Sequence, residues 1–272
     1  MTDDPWDFVE AGRYDEARPH LRAALDRAVA EFGAASFEAA VAANQLGVAC
    51  KFAGAYDEAA AAYARALPVG EQLAAAGEPD LLATLLHNLG GLAHSRGNYE
   101  EAEPIARRGL ELRRAECGDD NEAVAADAAA LAAILEHLER WPEAEALFTE
   151  ALERWEAAGD AYEAAMTRNG LAAVLRFSGR TDDAEALFRV ALHDVEAERG
   201  ADHPDTATVR NNLAMLLNAT GRPAEALPLL DRAADDLEAM LGPTHPATVD
   251  IVANRARVAA HVATGVDPGP PA

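Results

Sequence analysis

The residue types that could do chemistry in this chain of 272 residues are few, and their spacing points to recognition. A metal site needs three or four histidine, cysteine or carboxylate ligands converging on one point. His87 and His94 are seven residues apart, about 10 Å along a helix, too far to share one ion. Cys50 and Cys117 have neither Cys-x-x-Cys nor zinc-ligand spacing, so a disulfide framework has no material either. The phosphate-cradling Gly-x-x-x-x-Gly-Lys-Ser/Thr loop, the Gly-x-Ser-x-Gly elbow and the His-Glu-x-x-His helix are all missing. The expectation is therefore no catalytic residue, no metal, no cofactor and no enzymatic activity. What remains are groups that hold rather than transform: the amides of Asn44, Asn169, Asn211 and Asn218, the cations Lys51 and Arg176, and the imidazoles His87 and His94.

Composition narrows the partners. Lys+Arg is 23 against Asp+Glu 47, a formal net charge of -24, which repels phosphate backbones and anionic lipid. No apolar run approaches the roughly 18 residues a bilayer span needs, and Met1-Thr2-Asp3-Asp4 is acidic where a secretory leader is basic. These features predict a cytoplasmic protein that binds neither nucleic acid nor membrane. Lys51 is the sole lysine among 22 arginines, which together with the alanine content suggests a GC-rich bacterial genome.

The elements that must position these residues come from an internal repeat. Gly12-Arg13-Tyr14-Asp15-Glu16-Ala17 recurs as Gly54-Ala55-Tyr56-Asp57-Glu58-Ala59 and Gly97-Asn98-Tyr99-Glu100-Glu101-Ala102. Variants follow at Glu139 to Ala144, Gly179 to Ala184 and Gly221 to Ala226, and successive final alanines stand 42, 43, 42, 40 and 42 residues apart. Seven residues before each turn a leucine precedes a small residue, as in Leu46-Gly47, Leu89-Gly90, Leu131-Ala132, Leu171-Ala172 and Leu213-Ala214. The pattern predicts a helix, a turn and a second helix. Two helices 8 to 10 Å apart admit nothing larger than a methyl group where they approach most closely. Ala59, Ala102, Ala144, Ala184 and Ala226 mark that place on the second helices, while Tyr63, Phe148, Phe188 and Leu230 supply bulk one turn later.

This pattern resembles the tetratricopeptide repeat, and its long period is similar to that of kinesin light chains. The resemblance is most specific at Gly200-Ala201-Asp202-His203-Pro204-Asp205-Thr206 and Gly242-Pro243-Thr244-His245-Pro246-Ala247-Thr248. There glycine suits a left-handed helix stop, and proline suits the first helical position. The resemblance implies an all-α fold, a right-handed α-solenoid of tetratricopeptide-like helix-turn-helix repeats with a concave inner surface. It covers residues from about 6 to 263, and the domain expected is residues 1–264 as a single array: a truncated first repeat, five fuller repeats and a C-terminal capping helix whose Arg255, Arg257 and His261 face solvent. Residues 265–272 follow as a flexible tail. Glu139 replaces the turn glycine of the other repeats, and the connection after that repeat, Ala158-Gly159-Asp160-Ala161-Tyr162, lacks His-Pro and is part of the 40-residue spacing, so the array is expected to be irregular there.

Counting from the small residue of each first helix gives a stripe opposite the leucine face: Asn44, Lys51 and Phe52, then His87 and His94, Glu136 and His137, Asn169, Arg176 and Phe177, and Asn211, Met215 and Asn218. In so acidic a chain this stripe is poor in carboxylates. Its amides either hold the backbone of a bound peptide, as the resemblance implies, or tie neighbouring helices together. Lys51 and Arg176 add attraction for acidic segments. The function expected is a scaffold or adaptor binding a peptide segment of another protein through Asn44, Lys51, His87, His94, Asn169, Arg176, Asn211 and Asn218. Two alternatives stay open: an enzyme or small-molecule-binding protein using the same histidines and asparagines, and a sensory subunit acting with a separate effector.

Overall fold

The turns at Gly12, Gly54, Gly97, Gly179 and Gly221, inside the repeats, are closed by the same pair of backbone hydrogen bonds. At Gly97, φ 75°, the glycine N–H donates to His94 O at 2.8 Å and the Asn98 N–H to Ala93 O at 2.9 Å. Such a left-handed stop satisfies the last carbonyls of one helix and reverses the chain into the next. The computed structural model describes residues 5–118 and 121–265, which form thirteen helices and no strand.

The chain divides after Ala158. The first unit holds α1 (Pro5–Glu10), α2 (Tyr14–Phe32), α3 (Phe37–Phe52), α4 (Tyr56–Ala75), α5 (Asp80–Ser95), α6 (Tyr99–Cys117), α7 (Glu122–His137) and α8 (Trp141–Ala158). The second holds α9 (Ala161–Phe177), α10 (Thr181–Arg199), α11 (Pro204–Ala219), α12 (Pro223–Leu241) and α13 (Pro246–Thr264). Within each unit a helix packs on its neighbours in sequence, and first helices also touch one another: α3 with α5 and α5 with α7 in one unit, α9 with α11 and α11 with α13 in the other. Each unit is thus a stack of helix pairs, and the fold class is all-α. Of the expected tail only Gly265 lies within the described residues.

The small-against-large register is realised in the cores. Ala59, Ala102, Ala144, Ala184 and Ala226 are fully buried, and Tyr63, Phe188 and Leu230 fill the space beside them. Gly47 admits no alternative, because a Cβ there would stand 2.4 Å from Tyr63 Cε1.

The turn at Glu139 is itself regular, and one other turn expectation needs correction. Glu139 does not disturb its turn: it adopts φ 58°, its N–H donates to Glu136 O at 3.0 Å, and the Arg140 N–H donates to Leu135 O at 2.9 Å, as at the glycine turns. The hydrogen bonds and packing impose the left-handed conformation on a residue that disfavours it. In the His-Pro connections the glycine is not a left-handed stop, since Gly200 has φ 95°, ψ 160° and Gly242 φ 83°, ψ 165°. That extended, positive-φ geometry is essentially confined to glycine. It leads the chain out to an N-cap, where Nδ1 of His203 and of His245 accepts the N–H of Asp205 and Ala247, each at 3.2 Å. Pro204 and Pro246 then open their helices.

Candidate binding face of the first helices

Acidic residues are scarce on most first helices, α7 with Glu122, Asp127 and Glu136 being the exception. α3 carries only Glu38, α9 only Glu163 and α11 only Asp205, each in its first turn. By contrast α10 carries Asp182, Asp183, Glu185, Asp194, Glu196 and Glu198. Arginines cross-link the second helices through acids of α8 and α10: Arg107 to Glu143 at 2.7 Å, Arg114 to Glu150 at 2.8 Å and Arg222 to Glu185 at 2.6 Å. The net charge of the chain is therefore carried largely by the second helices, and the last turns of α3 and α9 end in a cation followed by an aromatic ring.

In the first unit Lys51 Nζ lies 4.4 Å from the centroid of Phe52, whose ring is 42% exposed. Nζ reaches over α5 at Gly91, where a Cβ would come within 3.2 Å of it. Among the described residues no carboxylate lies within ion-pair distance of Lys51, and burial lowers its ammonium to about 8. One turn beyond Gly91, the ring of His94 meets His137 edge-on at 4.9 Å and Tyr99 at 5.4 Å, while Tyr99 stacks on His137 at 4.2 Å. Nε2 of His94 is buried without a hydrogen-bond partner. Burial first, then the positive fields of His137 and Lys51, push this imidazole down to about 4, so it is neutral at pH 7. His87 stands apart: its Nδ1 is 2.8 Å from Oδ1 of the buried Asp127, which also accepts from Arg113 Nε at 3.3 Å. Cys50 is raised to about 11 by burial and is no nucleophile.

In the second unit the Arg176 guanidinium lies 4.2 Å from the centroid of Phe177, 51% exposed, repeating the arrangement of Lys51 and Phe52. The asparagines form a relay across α9, α11 and α13. Asn212 Nδ2 donates to Asn169 Oδ1 at 3.0 Å, Asn211 Nδ2 to Asn212 Oδ1 at 3.3 Å, and Asn254 Nδ2 to Asn211 Oδ1 at 2.9 Å. Asn218 Oδ1 is 2.8 Å from Nδ1 of His261. In the first unit Asn88 Nδ2 donates to Asn44 Oδ1 at 2.8 Å.

Of the two roles open to these amides, helix-to-helix ties are therefore the one with bonds behind it. Asn169 and Asn218 are buried, whereas Asn44 and Asn211 keep partial exposure. Asn88 and Asn212 escaped the stripe count because each lies two residues before its small residue rather than three. The recurrence of asparagine at that offset is the signal that would have found them. Arg257 and His261 on the capping helix are not simply solvent-facing either: Arg257 Nη2 donates to Asn254 Oδ1 at 3.0 Å, and His261 turns to Asn218. A cleft of about 550 Å³ lies apart from this face, lined by Glu122, Glu150, Glu153, Arg154, Ala157 and Ala158. Its Glu150 is already paired with Arg114 and Arg154. No group of three metal-ligating side chains occurs among the described residues, and no helix of the structure is long and apolar enough to cross a membrane.

The sequence matches the tetratricopeptide repeat family model over residues 8–72, 81–157, 124–193, 163–239 and 205–261. The chain belongs to the tetratricopeptide repeat family. Solved structures of similar fold include BtubC (BKLC) from P. vanneervenii, with TM-score 0.60 and 21% identity over 84% of this chain and 92% of that one. A kinesin light chain protein of nearly identical TPR-like repeats from Podosopora anserina has TM-score 0.51 and 18% identity over 66% of this chain and 85% of its own. A Rap protein complexed with Competence and Sporulation Factor has TM-score 0.65 and 15% identity over 95% of this chain and 73% of that chain. No curated protein matches this sequence. The likenesses establish the fold. Within the tetratricopeptide framework, the first helices α3, α9 and α11 are acid-poor and the second helices carry the ion-pair ladder.

Proposed function

We propose that this tetratricopeptide repeat protein is a non-catalytic binding module, a scaffold or adaptor that holds a polypeptide segment of another protein on its first-helix faces. The segregation of charge carries the reading: the first helices set Lys51 over exposed Phe52 and Arg176 over exposed Phe177 on faces nearly free of carboxylates. An exposed ring with a cation against it offers apolar area and a positive field together, which suits a segment carrying both hydrophobic and acidic side chains. Lys51 and His94 in the first unit and Arg176 in the second are the direct contacts. Asn44, His87, Asn169, Asn211 and Asn218 shape the face through their inter-helix bonds and offer their remaining donors and acceptors. A Rap protein of similar fold has been observed complexed with Competence and Sporulation Factor, which supports ligand capture by such a scaffold. The same reading places the module in the cytoplasm, with a protein or acidic peptide as partner and no cofactor.

The test is selection of random displayed peptides on the full chain. Enrichment of peptides that combine acidic and apolar residues, and that compete with one another, is the expected outcome. Failure to enrich any peptide, or turnover of a substrate that disappears in His94→Ala, overturns the reading.

A further inference from the structure

Lys51 and His94 share a condition that the partly or fully buried Arg18, Arg107 and Arg113 of the first unit do not. Arg18, Arg107 and Arg113 each face a carboxylate: Arg18 meets Glu58 at 2.6 Å, Arg107 meets Glu143 at 2.7 Å and Arg113 meets Asp127 at 3.3 Å. Lys51 is drawn over Gly91 with only the Phe52 ring against its charge, and His94 buries Nε2 with nothing to bond. Lys51 Nζ, reaching from α3, lies over Gly91, one turn before His94 on α5, and the rings of Tyr99 and His137 meet His94 edge-on. A polar group taken out of water without a partner costs free energy that a complementary ligand recovers.

We propose that Lys51 and His94, walled by Tyr99 and His137, form a subsite for an oxyanion, either a carboxylate or a phosphoryl-type group, and that its occupation draws a proton onto His94. The proposal deepens the binding-module reading and rests on it for the molecule that carries the anion. An oxyanion supplies the charge that Lys51 lacks and an acceptor for His94 Nε2–H. It also inverts the local field. The groups facing His94 are Lys51 from α3, Tyr99 from α6 and His137 from α7; on α5 itself His87 is held by Asp127, and Arg96 at the helix end is paired with Asp57 of α4 at 2.6 Å. Lys51 and His137 disfavour the imidazolium in the free protein, and a bound anion favours it. Binding accordingly strengthens as pH falls through the histidine range. It weakens as pH rises past about 8, where Lys51 loses its proton.

The experiment is histidine-selective nuclear magnetic resonance on the full chain, titrated separately with sulfate and with acetate, whose charges stay constant from about pH 6 upward. The expected result is a saturable shift of the His94 Cε1–Hε1 signal with at least one ion, and a His94 titration midpoint raised by about one pH unit or more at saturation. Acetate alone assigns a carboxylate, sulfate alone a phosphoryl-type group, and both the shared oxyanion chemistry. Exposed His20 and His193 serve as internal references that should not saturate. Lys51→Met should abolish saturation. His94→Gln, read at His137, should retain anion binding above pH 7 and lose its strengthening below. A linear shift, or saturation unchanged in Lys51→Met, overturns the subsite. A selected peptide that binds while neither ion saturates removes the subsite alone, and ion saturation without any selectable peptide removes the module reading alone.

Discussion

Tyr63 occupies the space that a side chain on Gly47 would need, with Cε1 only 2.4 Å from where the Cβ would stand. Glycine inside a helix ordinarily costs about 1 kcal/mol relative to alanine. Here the contact outweighs that gain, so Gly47→Ala should destabilise by about 1 to 3 kcal/mol through overpacking. Combining it with Tyr63→Leu, the residue type at Leu230 in the equivalent place, should recover part of the loss. Denaturant melts of the single and double variants provide the comparison, and a neutral or stabilising Gly47→Ala would contradict the packing.

Glu139 holds a left-handed conformation, φ 58°, that the other repeat turns give to glycine. Because its turn hydrogen bonds match theirs, Glu139→Gly should relieve strain without altering the connection. A gain of about 0.5 to 1 kcal/mol in thermal or denaturant unfolding is expected, the greater backbone freedom of the unfolded glycine offsetting part of the relief. A loss of stability would mean that the Glu139 side chain contributes more than its backbone costs.

The amide relay should behave as a structural tie. Asn212→Leu removes the donor to Asn169 Oδ1, whose side chain is buried, and should cost about 1 to 3 kcal/mol. Replacing both partners, Asn169→Leu with Asn212→Leu, should cost less than the single change. Melts in which the double variant is the less stable would contradict the Asn212–Asn169 bond as the dominant tie of the relay.

These outcomes also mark what the sequence could and could not carry. The positions of Gly47 and of alanines such as Ala59 and Ala184 follow from helix contact distance alone, so spacing reveals them. The same spacing puts Lys51, His94 and Arg176 each on the stripe opposite the leucine face of its own first helix. It does not reveal that Asn169 bonds Asn212, because an amide has equal chemical reason to meet a ligand or the next helix, and only the approach of α9 to α11 decides. Tyr99 packing between His94 and His137 is likewise hidden: Tyr99 reads as a turn residue, and its ring direction depends on how α6 seats against α5 and α7. Glu139 appeared as a break in the pattern, whereas hydrogen bonds that need no glycine preserve the turn.

His94 makes stability depend on pH. Its folded value of about 4 lies below the 6.5 of an unperturbed imidazole, so the unfolded chain takes up the proton first as the solution is acidified. The wild type should therefore lose stability between about pH 6.5 and pH 4, by on the order of 1 to 3 kcal/mol more than His94→Gln, which has no such proton to bind. Urea melts of both proteins across that range measure the difference, and parallel profiles would contradict the buried, neutral state of His94.

The proposed first-helix binding faces of the two units are tested most directly by the affinity of a display-selected peptide for the wild-type chain and for Lys51→Glu with Arg176→Glu. Both residues end first helices in partly exposed positions, and neither belongs to the apolar cores, so the helical circular-dichroism signal and melting behaviour should stay close to wild type. Reversing two charges that meet an acidic segment should weaken its binding at least about tenfold, since each close charge pair contributes on the order of 1 kcal/mol or more. Wild-type binding should also weaken as salt rises, and the double variant should lose that dependence. A tenfold or greater loss with the fold intact is the predicted result; undiminished affinity in the folded double variant would contradict the assignment of the first-helix faces as the binding surface.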